Sequence, residues 1–301
     1  MQYLMLLYDG AAPSFCYYDA PGKGAKMSLD TLKAAVLFAR KEGLAINVIT
    51  GEDPLPEEVR AELSGILHII IAPWTFPHDN VDDVAVVNWT PDLRISEMPD
   101  NSDKDIILRV PRKAIPNLTD TVRQLRFKGH RVNVQLLEQN RMTEEDVKAY
   151  EAQLEALSAF VLKSGMEINV VTDRLVLKKM NSCGAGDLAI TVAPDGKLYV
   201  CPGFYYDGEP SCGDVWTGLD LPNRQLYKLE FAPICRNCDA WQCRRCVWLN
   251  QKATGEVNTP SRGQCVTAHK ERHASVVLSK KGTEPLEDVP YEDPFELINK
   301  Y

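Results

Sequence analysis

Cys235-Arg236-Asn237-Cys238-Asp239-Ala240-Trp241-Gln242-Cys243-Arg244-Arg245-Cys246 spaces four thiols as C-x2-C-x4-C-x2-C, and Cys265 follows after eighteen residues. Two thiolates separated by two residues can turn toward one metal, because the backbone between them forms a tight knuckle. Upstream lie Cys183, Cys201 and Cys212, while Cys16 stands alone near the start. The eight clustered cysteines divide into two four-thiolate sites, and in a reducing compartment such clustering points to metal rather than disulfides. Tetrathiolate sites suit zinc as well as iron–sulfur clusters, so the thiols alone leave the metal open.

Working upstream from the block, Pro194-Asp195-Gly196 is a turn between Ala189–Thr191 and the strand Lys197–Val200, which places Cys183 and Cys201 at the ends of a hairpin. Further upstream the pattern changes. From residue 1 to about 172, short β-branched runs alternate with amphipathic stretches, the signature of βα units around a parallel sheet. Strands are expected at Tyr3–Tyr8, Ala45–Thr50, Leu67–Ala72, Ile106–Val110 and Arg131–Leu137, and helices at Ser28–Lys41, Pro56–Ser64, Leu118–Lys128 and Thr143–Lys163. Ser28 reads as a helix cap, with Leu29, Leu32, Val36 and Leu37 as the buried face, and Gly129 as a helix-terminating glycine. The region from Asp79 to Asp105 is rich in Pro and Asp. About six βα repeats are too few for a closed eight-stranded barrel. The expected fold class is α/β: a partial (β/α)6 barrel over 1–172, a small cysteine-rich domain over 173–270, and a solvated acidic tail over 271–301.

A chain of 301 residues with net charge −8 and no long basic run is not a general nucleic-acid binder. Met1–Leu7 is too short for a signal peptide and reads as a first strand. No segment offers the ~18 uninterrupted apolar residues of a membrane span. A cytoplasmic protein is expected.

The cysteine pattern resembles the SPASM domain, the carboxy-terminal extension of radical SAM enzymes that mature ribosomally made peptides. That domain reads Cys, Gly-x4-Cys, C-x2-C-x5-C-x3-C, then a last Cys; here Cys183, Gly196-x4-Cys201, the four-cysteine block and Cys265 keep the order, with two gaps of the block shortened by one residue. Cys212-Gly213-Asp214-Val215 resembles the family's Ile-Gly-Asn-Val. The resemblance implies two auxiliary [4Fe–4S] clusters, the first on Cys183, Cys201 and Cys246 with Cys212 as fourth ligand, the second on Cys235, Cys238, Cys243 and Cys265. Zinc is the alternative. The amino-terminal half likewise resembles the six-repeat radical SAM barrel.

Two motifs of that barrel are altered. The family's C-x3-C-x2-C-Tyr falls on Asp9-x3-Pro13-x2-Cys16-Tyr17, leaving Cys16 as the single thiolate where SAM cleavage needs three. Thr-Gly-Gly-Glu-Pro-Leu falls on Thr50-Gly51-Glu52-Asp53-Pro54-Leu55. Cys16, Gly51, Glu52 and Asp53 therefore read as vestigial cluster and SAM positions, and independent SAM cleavage is not expected. The chain resembles the branch of CXXX-repeat peptide maturases, which act on cysteine-repeat peptides beside a second radical SAM protein. That implies an accessory that binds a precursor peptide or a catalytic partner. Two other readings stand beside it: an active peptide-modifying enzyme that uses an auxiliary or unconventional cluster, and a zinc-stabilised interaction module.

Bland readings cover most other candidates. His68 in an apolar strand reads as a hydrogen-bonded core residue, and His269 and His273, flanked by charge, as a solvated helix face. His78 beside Asp79 is a loop histidine, and Gly22-Lys23-Gly24 a flexible turn. Trp216, Trp241, Trp248, Tyr205 and Tyr206 are expected to shield the clusters, and Arg236, Arg244 and Arg245 to offset thiolate charge.

Overall fold

The computed structural model describes residues 1–22, 24–75, 83–100 and 103–280. Lys23, His78, Asp79 and the acidic stretch 284–301, with Pro285, Pro290, Pro294, Phe295, Leu297 and Ile298, lie outside the described residues.

The barrel half alternates as its sequence suggests: β1 (Tyr3–Leu7), α1 (Leu29–Glu42), β2 (Ala45–Ile49), α2 (Glu57–Leu63), β3 (His68–Pro73), β4 (Val84–Asn88), β5 (Asp105–Val110), α3 (Leu118–Gln124), β6 (Arg131–Leu136), α4 (Glu144–Ser164) and the short β7 (Glu167–Ile168). Beyond it come α5 (Asn169–Val176), the hairpin β8 (Ala189–Val192) and β9 (Leu198–Tyr199), α6 (Pro202–Tyr206), α7 (Val247–Thr254) and α8 (Arg262–Lys280). All strands named here share one nine-stranded sheet, ordered β7-β6-β5-β4-β3-β2-β1-β8-β9. Pairing is parallel from β7 to β8, and β9 is antiparallel to β8. The two ends are different strands, so the sheet stays open. No helix among the described residues is long and apolar enough to cross a membrane.

Local chemistry accounts for the helix ends. Ser28 Oγ accepts from Thr31 N, and Gly43 closes α1 in the left-handed conformation. Thr143 and Asp146 form a reciprocal capping box at α4. The buried face of α1 is Leu32, Ala35, Val36 and Ala39 with Phe38, whereas Leu37 is exposed. Leu37 lies one residue, about 100°, past the stripe. Gly129 does not cap a helix: its φ is not positive, and a Cβ there would lie 2.7 Å from the Lys104 carbonyl, so the residue is small for close packing. Strand β4 lies inside the stretch read as Pro- and Asp-rich; its five residues were concealed by polar flanks.

Period-2 alternation sorts side chains into two layers. Ile106, Leu108, Val110, Val132, Val134 and Leu136 face the helices, while their neighbours Arg109 and Gln135 belong to the inner face. Helix α8 packs on α4 and α5, and it continues through residues 271–280, where Glu271, Ala274, Ser275 and Leu278 are buried. The amphipathic pattern of those ten residues is interrupted by charge, which is why they read as part of a solvated tail.

Candidate metal centre

The loop after β1 is the first piece of the site. Asp9 Oδ1 accepts from Ala11 N at 2.8 Å, and Ser14 Oγ accepts from Cys16 N at 3.1 Å, folding the loop into successive turns. Arg109, buried on the inner face of β5, then holds it: Nε donates to the Cys16 carbonyl at 2.7 Å, one terminal nitrogen to the Tyr18 carbonyl at 3.1 Å, and the other to Asn88 Oδ1 at 2.7 Å. Gln135 Nε2 lies 3.9 Å from Cys16 Sγ. Tyr18 stacks on Tyr206 of α6 with centroids 5.5 Å apart, and the Tyr206 hydroxyl donates to the Gly10 carbonyl at 3.1 Å.

The hairpin brings the second piece. Because β8 pairs in parallel with β1 and β9 returns antiparallel to β8, Cys183 before β8 and Cys201 after β9 come together at the same end of the hairpin. The turn between β8 and β9 needs Gly196 at φ 83°, a conformation costly for any residue with a Cβ. Cys183 precedes β8, Cys201 caps α6 and Cys246 caps α7, where its sulfur accepts from Leu249 N at 3.4 Å. Cys16, Cys183, Cys201 and Cys246 line one cavity, walled by apolar groups including Phe15, Val200 and Trp248. A hydrogen bond from the Cys246 thiol pulls the Cys16 pKa down and pushes that of Cys246 up.

Cys212, expected beside Cys183, Cys201 and Cys246, is elsewhere. Its thiol donates to the Leu198 carbonyl at 3.3 Å within the core of Leu4, Leu6, Ile190 and Val215, and burial pushes its pKa up to about 11. The residue that follows it, Gly213, is held by pairing to Leu219, which turns position 212 inward.

The remaining cysteines gather separately. Cys238 N bonds the Cys235 carbonyl at 3.1 Å, the first knuckle expected from the spacing, whereas the turn at Cys243 is closed by its N on the Ala240 carbonyl at 2.9 Å, and Cys246 leaves for the first cavity. Burial pushes the Cys243 thiol well up, and Cys235, Glu271, Cys265 and Cys238 add to that. His269, expected on a solvated face, has Nε2 at 3.5 Å from Cys238 Sγ, because α8 turns that face toward the cysteine block.

Arg245 connects the two groups. It is 4% exposed; its Nη1 donates to the Tyr227 carbonyl at 2.9 Å, while Nε and Nη2 have no partner. Burial lowers its pKa, and the thiols opposing this are Cys235, Cys183, Cys243 and Cys246, two from each group. A buried cation lacking a carboxylate fits a surrounding of anionic, metal-bound thiolates. Arg244 also bonds Asn133 Oδ1 at 2.8 Å, whereas Arg236 is exposed. Of the aromatics, Trp248 and Tyr18 wall the cavity, Trp241 lies under Arg174 at 4.9 Å, and Trp216 is 61% exposed against Gly196. None of the nine cysteines forms a disulfide. Among the described residues no group of three or more His, Cys, Asp or Glu side chains is drawn up as a single-ion site.

The second altered motif does not join this centre. A Cβ on Gly51 would meet Asp9 Oδ2 at 2.5 Å, so the Asp9 carboxylate fills the space beside that glycine. Asp53 pairs with Lys26 at 2.8 Å on the surface, and Glu52 is exposed. These residues do not fit a SAM pocket: neither carboxylate is enclosed, the Asp53 side chain being held by Lys26 at the surface and Glu52 being exposed.

Arg109, Gln135 and Glu271 escaped the sequence reading. Arg109 had a usable signal, a charged residue in the middle of the apolar strand Ile106-Ile107-Leu108-Arg109-Val110.

No family model matches this chain, and no curated protein does. Solved structures do. The structure of native anSMEcpe, a SPASM radical SAM maturase with bound AdoMet and Cp18Cys peptide, superposes with a TM-score of 0.61 at 13% identity, covering 93% of this chain and 99% of that one. Streptococcus suis SuiB bound to precursor peptide SuiA gives 0.52 at 10% identity, covering 87% of this chain and 75% of the other. At these identities the likeness is one of fold: with its large, mostly parallel sheet flanked by helices, this chain has the α/β fold of those radical SAM/SPASM structures.

Proposed function

We propose that this chain is an iron–sulfur accessory protein in the maturation of a ribosomally synthesised, cysteine-repeat peptide. It binds the precursor or the catalytic radical SAM partner in the reducing cytoplasm and leaves SAM cleavage to that partner. The observation that carries this reading is the β1–α1 loop. Asp9 and Pro13 occupy two of its three thiolate positions, and Arg109 clamps its remaining cysteine to the inner wall of the barrel. The peptides present in both structural neighbours support a peptide as the ligand.

In this reading residues 1–172 present the peptide surface and 173–270 hold the clusters, one on Cys183, Cys201 and Cys246, the other on Cys235, Cys238, Cys243 and Cys265. Bound there, the clusters supply structural closure and an electron reservoir. The chain supplies the thiolates, the compensating charge of Arg245 and the apolar walls that exclude water.

Anaerobic purification is expected to yield brown protein with about eight irons and matching acid-labile sulfide. Incubated with SAM and reductant it forms no 5′-deoxyadenosine, and it retains a cysteine-repeat precursor peptide on a column. Deoxyadenosine formed by the isolated chain would restore the active-enzyme reading. Colourless protein with stoichiometric zinc would leave only the interaction module.

A further inference from the structure

We infer that Cys16 supplies the fourth thiolate of the first cluster, completing the set of Cys183, Cys201 and Cys246. This rests on the iron–sulfur reading above and deepens it. Three independent features place the sulfur there.

The first is position. Cys16 lines the same cavity as the other three thiols, and its sulfur shares a hydrogen bond with Cys246. The competing cysteine, Cys212, bonds the Leu198 carbonyl inside the aliphatic core and does not line that cavity.

The second is preorganisation. The backbone on both sides of Cys16 is tied down, by Ser14 at its amide, by Arg109 at its carbonyl and at that of Tyr18, and by the stacking of Tyr18 on Tyr206. A ligand whose backbone is locked loses little freedom on binding.

The third is charge. A four-thiolate cluster is anionic, and Arg109 and Arg244 both act on the Cys16 sulfur, while Arg245 acts on Cys183 and Cys246. Coordination takes the proton from each thiol and passes it to solvent, with no change in electron count. Four thiolates leave no iron open to SAM or substrate, and the bond staples the first loop of the barrel to the metal segment across a long stretch of chain.

The test compares the full chain with C16A, C16S and C212A after anaerobic reconstitution with iron and sulfide. Wild type and C212A are expected to hold about eight irons, and both clusters survive mild ferricyanide. In C16A one of the two clusters loses its uncapped iron to ferricyanide and gives the three-iron signal in electron paramagnetic resonance. C16S keeps the volume and an oxygen ligand, so if C16A does not fold, a shifted signal from one cluster in C16S carries the same answer. Two intact clusters in both Cys16 variants, or a three-iron signal in C212A, overturns the assignment while leaving the iron–sulfur reading in place. A wild-type chain that takes up zinc and no iron removes both.

Discussion

Arg109 Nε donates to the Cys16 carbonyl at 2.7 Å, so a cation on the inner wall of the barrel fixes a cysteine whose thiol bonds Cys246 of the metal segment. Replacing Arg109 by Met removes this bond together with those to Tyr18 and Asn88, and leaves two carbonyls without a donor. The expected loss is about 3 kcal/mol in chemical denaturation. It is accompanied by faster release of iron from the first cluster than from the second during chelation. Equal release rates in variant and wild type would show that the clamp does not support the cluster.

The clamp also decides what restoring the sequence motif does. Asp9→Cys with Pro13→Cys rewrites the loop as C-x3-C-x2-C, yet Arg109 and Gln135 still hold the third cysteine. The double variant is expected to keep about eight irons rather than about twelve, and to form no deoxyadenosine from SAM. A third cluster in this variant would mean that the loop reopens freely.

Arg245 lies between the two thiol groups with two nitrogens unpartnered. In metal-free protein this is an uncompensated buried charge, so Arg245→Met is expected to be neutral or stabilising there. In the iron-loaded protein the same change removes a positive charge beside both clusters and makes reduction harder. Both midpoint potentials are expected to fall by on the order of 50 mV, the size of one nearby charge at an effective dielectric of about 20. A redox titration in which neither moves would place the guanidinium outside their field.

Much of this was legible in the sequence, for identifiable reasons. Caps such as Ser28 and Thr143 act within four residues, so α1 and α4 could be read locally, and the first C-x2-C knuckle fixes Cys235 with Cys238 in the same way. The choice between Cys16 and Cys212 was not local. It depends on tertiary packing that brings Cys16, Cys183, Cys201 and Cys246, distant along the chain, to one cavity and leaves Cys212 in the aliphatic core. Spacing along the chain carries no information about that closure. Leu37 and His269 failed for a smaller reason, since each lies a single residue's rotation from the face assigned to it.

Glu271 Oε1 accepts from the Tyr150 hydroxyl at 2.7 Å in a buried setting. Burial raises its pKa from 4.5 to about 7, against hydrogen bonds from Tyr150 and Gln242 and the charge of Arg244, which lower it; Asp173 raises it further. Below about pH 4.5 both folded and unfolded chains hold this proton, and the carboxyl's contribution to stability is fully present. Between about 4.5 and 7 the folded chain keeps the proton and the unfolded chain releases it, so stability falls as pH rises, by up to about 1.4 kcal/mol per unit. Glu271→Gln keeps an oxygen acceptor for the Tyr150 hydroxyl and carries no ionisable proton. The variant is therefore expected to lack the slope and to exceed wild type in stability at pH 8 by on the order of 2–3 kcal/mol, with a smaller difference at pH 5. Denaturation curves of the two proteins at those pH values decide it. Parallel profiles would mean that Glu271 is ionised in the native protein and that Arg244, rather than the apolar packing of α8, governs its charge.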